Sequence, residues 1–277
     1  MRRAVFLDRD GTLVDNDADL GDAAGVRLLA EVARGCALLC TAGWALVVVT
    51  NQGGVARGAY DEAAVDRVHA ELERQLCEAT GLPRVLDAFY HCPFHPEGVV
   101  PRYRREHPWR KPAPGMLLAA ARDLDLDLAQ CWMVGDAERD VLAGRSAGAR
   151  TIRVADDPSS IRATTAADFV DRTLIDAAKR IDAASRADLR PRSTVRLRAK
   201  SDHALIDPTL RESVLSAARA LAERTGVEVA HLAATPAGLE ATLVGEEVIA
   251  VGFAAELRRT TEAWFRARTG ETLWGER

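Results

Sequence analysis

A chain of 277 residues with a formal net charge of −4 is longer than one average domain, so two are expected. Its charge disfavours a general binder of nucleic acid or of anionic membrane surfaces. Hydrophobic residues make up 48% of it, enough for a buried core, yet no apolar run approaches the ~18 residues of a membrane span.

The five cysteines are odd in number and irregularly spaced, which argues against a disulfide framework. Met1-Arg2-Arg3 is followed by only a short apolar run before Asp8, too short for a secretory signal core, so a cytoplasmic location is expected.

Short β-rich runs alternate with longer helical patterns through the first part of the chain. Strands are expected at Ala4–Leu7, Ala45–Val49, Ala88–His91, Cys131–Val134 and Thr151–Val154. Helical periodicity covers Val26–Leu39 and the region from Glu62 to Leu76. There Val65, Val68, Leu72 and Leu76 share one face and Gln75 is expected to look outward. Gly43, Gly81-Leu82-Pro83, Pro112 and Pro114 punctuate the pattern.

This order implies an α/β fold, a Rossmann-like parallel sheet with helices on both faces, over residues 1–182. The polar stretch 183–193 reads as a linker. Residues 194–277 then read strand, helix, strand, strand, helix, a small α+β domain. Its helices are expected at Pro208–Thr225 and Ala254–Arg268, and its β-like runs at Val195–Arg198, Val227–Leu232 and Leu239–Val244.

Four polar clusters sit at the C-terminal ends of expected strands, the edge where open parallel sheets bind ligands. In Phe6-Leu7-Asp8-Arg9-Asp10-Gly11-Thr12, carboxylates at i and i+2 point the same way because strand side chains alternate. Two such charges need a cation between them, and Mg²⁺ with its oxygen ligands suits the pair. One carboxylate can then attack phosphorus while the other handles protons. Asp-x-Asp-Gly also opens calcium loops, but position twelve would be Asp19, and Leu13 with Val14 interrupts the ligand pattern.

Val49-Thr50-Asn51-Gln52-Gly53-Gly54 offers a hydroxyl and an amide to a phosphoryl oxygen. In Arg110-Lys111-Pro112 the lysine can neutralise a transferring phosphoryl group. Met133-Val134-Gly135-Asp136 supplies a further metal carboxylate, and Asp140 lies one helical turn on, where it can orient Lys111. Taken singly, these clusters also read as a capped turn, a solvated lysine and a helix N-cap at Asp136.

In this order the motifs resemble the haloacid dehalogenase phosphohydrolase superfamily over about residues 1–180. Phe-Leu-Asp-Arg-Asp-Gly-Thr-Leu, Val-Thr-Asn-Gln, Cys-Pro-x-His-Pro-Glu-Gly, Arg-Lys-Pro-x-Pro-Gly-Met and Val-Gly-Asp are similar to its heptose bisphosphate phosphatase and histidinol-phosphatase branch. The resemblance implies Asp8 as nucleophile, Asp10 as general acid and base, and Thr50 with Lys111 on the phosphate. It implies Mg²⁺ held by Asp8, the Asp10 carbonyl and Asp136, with Asn51 and Arg110 contacting substrate. The implied partner is a small phosphorylated metabolite, most directly a heptose bisphosphate. A histidinol phosphate, or a phosphorylated nucleic-acid strand end, are the alternatives.

That branch carries Zn²⁺ in the loop before the lysine, with ligands spaced Cys-x-His and Cys-x-Cys. Here those positions hold Cys92, Phe94, His107 and Trp109. Two ligands are lost, and zinc asks for four in a closed tetrahedron. Cys92, His95 and His107 would supply only three, so no Zn²⁺ is expected, and packing of Phe94, Tyr103 and Trp109 is expected to hold the loop. The C-terminal part is similar in element order to single-strand transposases of the His-hydrophobic-His class. Their paired histidines would fall near Gly238 and Glu240, which excludes nicking chemistry. Arg258, Arg259, Arg266 and Arg268 alternate with glutamates, which reads as a solvated helix face and disfavours nucleic acid.

Overall fold

The computed structural model describes residues 2–16, 18–188, 191–201 and 204–275. It divides into two compact units, Met1–Ser185 and Arg186–Arg277.

In the first unit, strands β1 (Ala4–Leu7), β2 (Ala45–Asn51), β3 (Ala88–Cys92), β4 (Trp132–Gly135), β5 (Arg150–Val154) and β6 (Phe169–Asp171) form one parallel sheet ordered β3-β2-β1-β4-β5-β6. Both faces are covered, which explains the uninterrupted apolar runs. Val5, Leu7, Leu46 and Val48 pack toward α1 (Val32–Thr41), α2 (Glu62–Thr80) and α6 (Leu174–Asp188). The alternate residues Ala4, Phe6, Val47 and Val49 pack toward α3 (Gly115–Leu124) and α4 (Glu138–Ala147). A short helix α5 (Pro158–Ile161) precedes β6.

Two local expectations are corrected. Residues 26–31 are not helical: Asp15 N–H donates to the Arg27 carbonyl and Leu29 N–H to the Leu13 carbonyl, and Val14 bridges Leu28. Long-range backbone partners there outcompete the helix that local periodicity favours. Gln75 does not face outward; it is half-buried and donates to the Val26 carbonyl at 3.2 Å, tying α2 to that segment. The stretch 183–193 is helical to Asp188 and extended from Arg192; residues 189 and 190 lie outside those described.

In the second unit, β7 (Arg192–Arg198), β8 (Val229–Thr235) and β9 (Gly238–Val244) form an antiparallel sheet ordered β7-β9-β8. It packs through Leu197, Leu239, Ala241 and Leu243 on α7 (Pro208–Thr225) and α8 (Glu247–Thr269). The α8 cations are engaged within this unit. Arg259 pairs with Glu256 at 2.7 Å and Arg266 with Glu262 at 3.2 Å, while Arg258 donates to the Gly275 carbonyl. Among the described residues, no helix is long and apolar enough to cross a membrane.

Candidate active site

The chain order β1, β2, β3 runs outward on one side of β1, and β4, β5, β6 on the other. The reversal lies between β1 and β4, and ligands bind at such a switch point. Asp8 leaves the tip of β1, where its N–H donates to the Val134 carbonyl of β4 at 3.0 Å. Asp136 leaves the tip of β4. Carboxylate oxygens of Asp8, Asp136 and Asp140 come together within 4.8 Å of one another.

Two glycines make this convergence possible. Gly11 has φ +74°, and a Cβ there would stand 2.6 Å from Asp136 Oδ2. Gly135 lets the Asp140 side chain lie against β4, where a Cβ would meet it at 2.4 Å. Asp140 Oδ2 accepts from the Ala137 N–H at 3.0 Å, so it is Asp140 that reaches back to cap α4. Asp136 is thereby released from the capping role its position suggests, and its Oδ1 is buried without a hydrogen-bond partner.

Lys111 is the cationic counterpart. Its ammonium is wholly buried, 2.8 Å from Asp8 Oδ1 and 2.7 Å from Asp140 Oδ1, and it donates to the Val49 carbonyl at 2.8 Å. Burial pulls its pKa down, but the Asp140 and Asp8 carboxylates outweigh that and hold it above its ordinary value. Burial and then the Asp8 charge push Asp140 up to about 6. The same two causes, in the same order, raise Asp136. Three crowded carboxylates against one ammonium leave excess negative charge, and an unpartnered carboxylate oxygen faces it. This donor set fits a hard divalent cation with oxygen ligands.

Asp10 sits beside this centre and is held from several sides. Asn16 donates to its Oδ1 at 2.8 Å and Gln52 to its Oδ2 at 2.9 Å. Arg9 Nε and Nη2 reach Oδ1 at 3.3 and 3.2 Å. Gln52 also donates to Thr50 Oγ1 at 2.8 Å and accepts from Arg9 and from the Tyr60 hydroxyl, each at 2.9 Å. Arg9 is 0% exposed. Sequence reasoning gave no role to Arg9, Gln52 or Tyr60. Strand alternation alone would send the residue between two aspartates to the other side, so the sequence carried no signal for Arg9.

Asn51 holds the backbone of Lys111. Its Nδ2 donates to the Lys111 carbonyl and its Oδ1 accepts the Lys111 N–H, both at 3.0 Å. Its amide is thus spent on the lysine's backbone. Arg110 is half-buried and donates to the Phe94 carbonyl at 3.3 Å.

In the loop between β3 and Lys111, aromatic rings pack on one another. Phe94 stacks on His107 at 4.2 Å and meets Tyr103 edge-on at 5.7 Å, and Trp109 packs against Tyr90 at 6.0 Å. His95 Nδ1 accepts from the Glu97 N–H and His107 Nδ1 from the Trp109 N–H, each at 3.1 Å. Those lone pairs serve the loop's own backbone.

Residues 108–177 match the HAD-hydrolase-like family. The chain is 38% identical over 170 residues to the D-glycero-alpha-D-manno-heptose-1,7-bisphosphate 7-phosphatase of Burkholderia mallei, a match spanning 61% of this chain and 88% of that protein. It is 37% identical over 177 residues to the D-glycero-beta-D-manno-heptose-1,7-bisphosphate 7-phosphatase of Haemophilus ducreyi, covering 63% and 96%. Among solved structures, the D,D-heptose 1,7-bisphosphate phosphatase of B. bronchiseptica complexed with magnesium and phosphate is similar at 31% identity and TM-score 0.57. That match covers 65% of this chain and 98% of the other.

A parallel sheet with carboxylates and a buried lysine at its switch point defines, with these similarities, a phosphoric monoester hydrolase. The chain belongs to the haloacid dehalogenase-like phosphatase family, in the branch of the heptose bisphosphate 7-phosphatases.

Proposed function

We propose that this protein removes a phosphate from a small phosphorylated sugar, a D-glycero-D-manno-heptose 1,7-bisphosphate or a close analogue, through an aspartyl-phosphate on Asp8. The observation that carries the reading is the contact set of the Asp8 carboxylate: Oδ1 lies 2.8 Å from the Lys111 ammonium, and an oxygen of the same carboxylate lies within 4.8 Å of carboxylate oxygens of Asp136 and Asp140.

Asp8 attacks phosphorus, and the bond from phosphorus to the sugar oxygen breaks. Asp10 gives that oxygen a proton as the alcohol leaves, then takes one from the water that hydrolyses the acyl phosphate. Lys111 and the Thr50 hydroxyl hold phosphoryl oxygens, and Asn51 keeps Lys111 in position. Arg110 would contact the rest of the substrate. Asp8, the Asp10 carbonyl and Asp136 are the groups that would hold Mg²⁺, which supplies charge neutralisation on the phosphoryl oxygens.

The heptose substrate is supported by the names of the relatives, while the altered loop of Phe94, His107 and Trp109 is where preference would diverge from theirs. The test is phosphate release from heptose bisphosphate, histidinol phosphate and a 3′-phosphorylated oligonucleotide, with and without Mg²⁺. Heptose bisphosphate is expected to be turned over fastest, and Asp8→Asn is expected to be inactive on all three. Faster turnover of either other substrate would reject the heptose assignment. An active Asp8→Asn would reject the nucleophile.

A further inference from the structure

On the α1–α2 face of the first unit lies a second group of ligating side chains that phosphate chemistry does not use. Glu62, Asp66 and His69 follow one another at i, i+4 and i+7 along α2 and therefore form a single stripe. Opposite them, the edge strand β3 presents Phe89 and His91, two residues apart and so on one face. The His69 ring stacks on Phe89 at 4.6 Å and meets His91 edge-on at 5.8 Å. One ligating atom from each of Asp66, His69 and His91 lies within 4.8 Å of the other two.

Packing alone does not account for His69. It is 5% exposed, and its Nε2 is buried with no hydrogen-bond partner. Leaving such a group unsatisfied is costly, and it calls for a specific explanation. We propose that Asp66, His69 and His91 bind one divalent transition metal ion of the zinc class, separate from the Mg²⁺ centre.

Two imidazoles and a carboxylate select a borderline ion such as Zn²⁺, Co²⁺ or Ni²⁺ over the oxygen-seeking Mg²⁺. With three protein ligands the site would be of the open kind, with a water in the fourth position, rather than the closed four-ligand structural kind that the loop lacks. Glu62 supplies the outer layer that such sites use to orient a ligating ring. One of its oxygens lies 3.3 Å from His91 Nε2, and the other accepts from the Tyr103 hydroxyl. A cavity of about 470 Å³, lined in part by Glu62, Phe89, His91 and Tyr103, opens beside the site and gives the ion a way in. The ion would pin α2 to the outermost strand of the sheet. The expectation of no Zn²⁺ rested on the ligands lost from the loop at Phe94 and Trp109; this group lies elsewhere and is independent of that loss and of the phosphatase reading.

The test uses untagged, full-length protein stripped of metal. Zn²⁺ titration followed by dialysis and elemental analysis should leave one ion per chain. Co²⁺ loading should give visible d–d bands without thiolate charge transfer. Asp66→Ala changes an exposed residue and His91→Gln a half-buried one, so neither is expected to unfold the chain. Each should weaken Zn²⁺ binding about tenfold or more, whereas Cys92→Ser and His107→Gln should leave it unchanged. Absence of stoichiometric binding would overturn the proposal. So would stoichiometric binding that survives Asp66→Ala and His91→Gln, whatever Cys92→Ser does.

Discussion

Asn51 and Lys111 are joined by two reciprocal hydrogen bonds of 3.0 Å, side-chain amide to backbone amide, across 60 residues of sequence. The pairing copies a strand ladder at a place where no ladder runs. It fixes the backbone from which the Lys111 ammonium reaches Asp8 and Asp140. Removing it leaves the ammonium's own contacts intact but frees the segment that carries them.

Asn51→Ala is therefore expected to lower kcat by about 10²-fold, the scale of an ångström-sized misplacement, with the far-ultraviolet spectrum unchanged. Asn51→Asp should do worse, because a carboxylate can still accept the Lys111 N–H but faces the Lys111 carbonyl with no proton to give. Steady-state kinetics on any substrate that the wild type turns over will decide. Near-normal kcat in both variants would remove Asn51 from the machinery.

Gly11→Ala tests the closeness of the first and fourth strand tips. The residue sits at φ +74°, and a methyl group would collide with the Asp136 carboxylate. The left-handed backbone alone costs a non-glycine residue about 1–2 kcal/mol. Displacement of Asp136 should add a loss of Mg²⁺ affinity of about tenfold or more. Denaturant melts read the first effect, and Mg²⁺ titration of activity reads the second. A variant with reduced stability but unaltered Mg²⁺ response would mean that Asp136 is not a ligand.

Protons and metal compete at this centre. Asp140 is raised from 3.8 to about 6, by burial first and then by Asp8, and Asp136 is raised for the same reasons. A carboxyl raised in the fold binds a proton there more readily than in the unfolded chain. Its ionisation therefore costs the metal-free fold stability as pH climbs from about 4 through about 6. A cation reverses the preference by stabilising the ionised forms. Mg²⁺ affinity should accordingly fall on acidification, because the ligand Asp136 is raised above its ordinary value and takes up a proton in competition with the ion. The rise in Tm on adding Mg²⁺ should be larger at pH 7.5 than at pH 5. An increment independent of pH would contradict this.

What could be read in advance follows the reach of each interaction. β1 and α7 appear at the expected bounds because apolar runs and the Asp207-Pro208 start are local signals. Residues 26–31 defeated periodicity because their partners are Leu13 and Asp15. Asp8, Asp10 and Asp136 were visible as carboxylates leaving strands. The use of Asn51 on the Lys111 backbone was not, since a polar side chain at a strand tip looks the same whether it serves substrate or chain. Burial of Arg9 was equally hidden: only the fold shows that its charge is spent on Asp10 and Gln52.

That buried arginine leads to a discriminating experiment. Arg9 touches neither Lys111 nor the Asp8 carboxylate by any hydrogen bond of its side chain; its guanidinium pairs with Asp10 Oδ2 at 3.1 Å and bonds Gln52. Arg9→Met keeps the apolar length and removes the fork, leaving Asp10 oriented by Asn16 and Gln52 alone. Breaking a buried pair in this way should cost about 3 kcal/mol of stability. If Asp10 is the general acid, the kinetic loss must depend on the leaving group. An alkyl phosphate, whose departing alkoxide needs the proton, should slow by about 10²-fold. Aryl phosphates with acidic phenols, which leave without protonation, should slow far less. Burst kinetics isolate the first step, in which the leaving group departs; a loss in that step that is uniform across both classes would mean that Arg9 acts on the phosphoryl site as a whole, and the acid role of Asp10 would have to be given up.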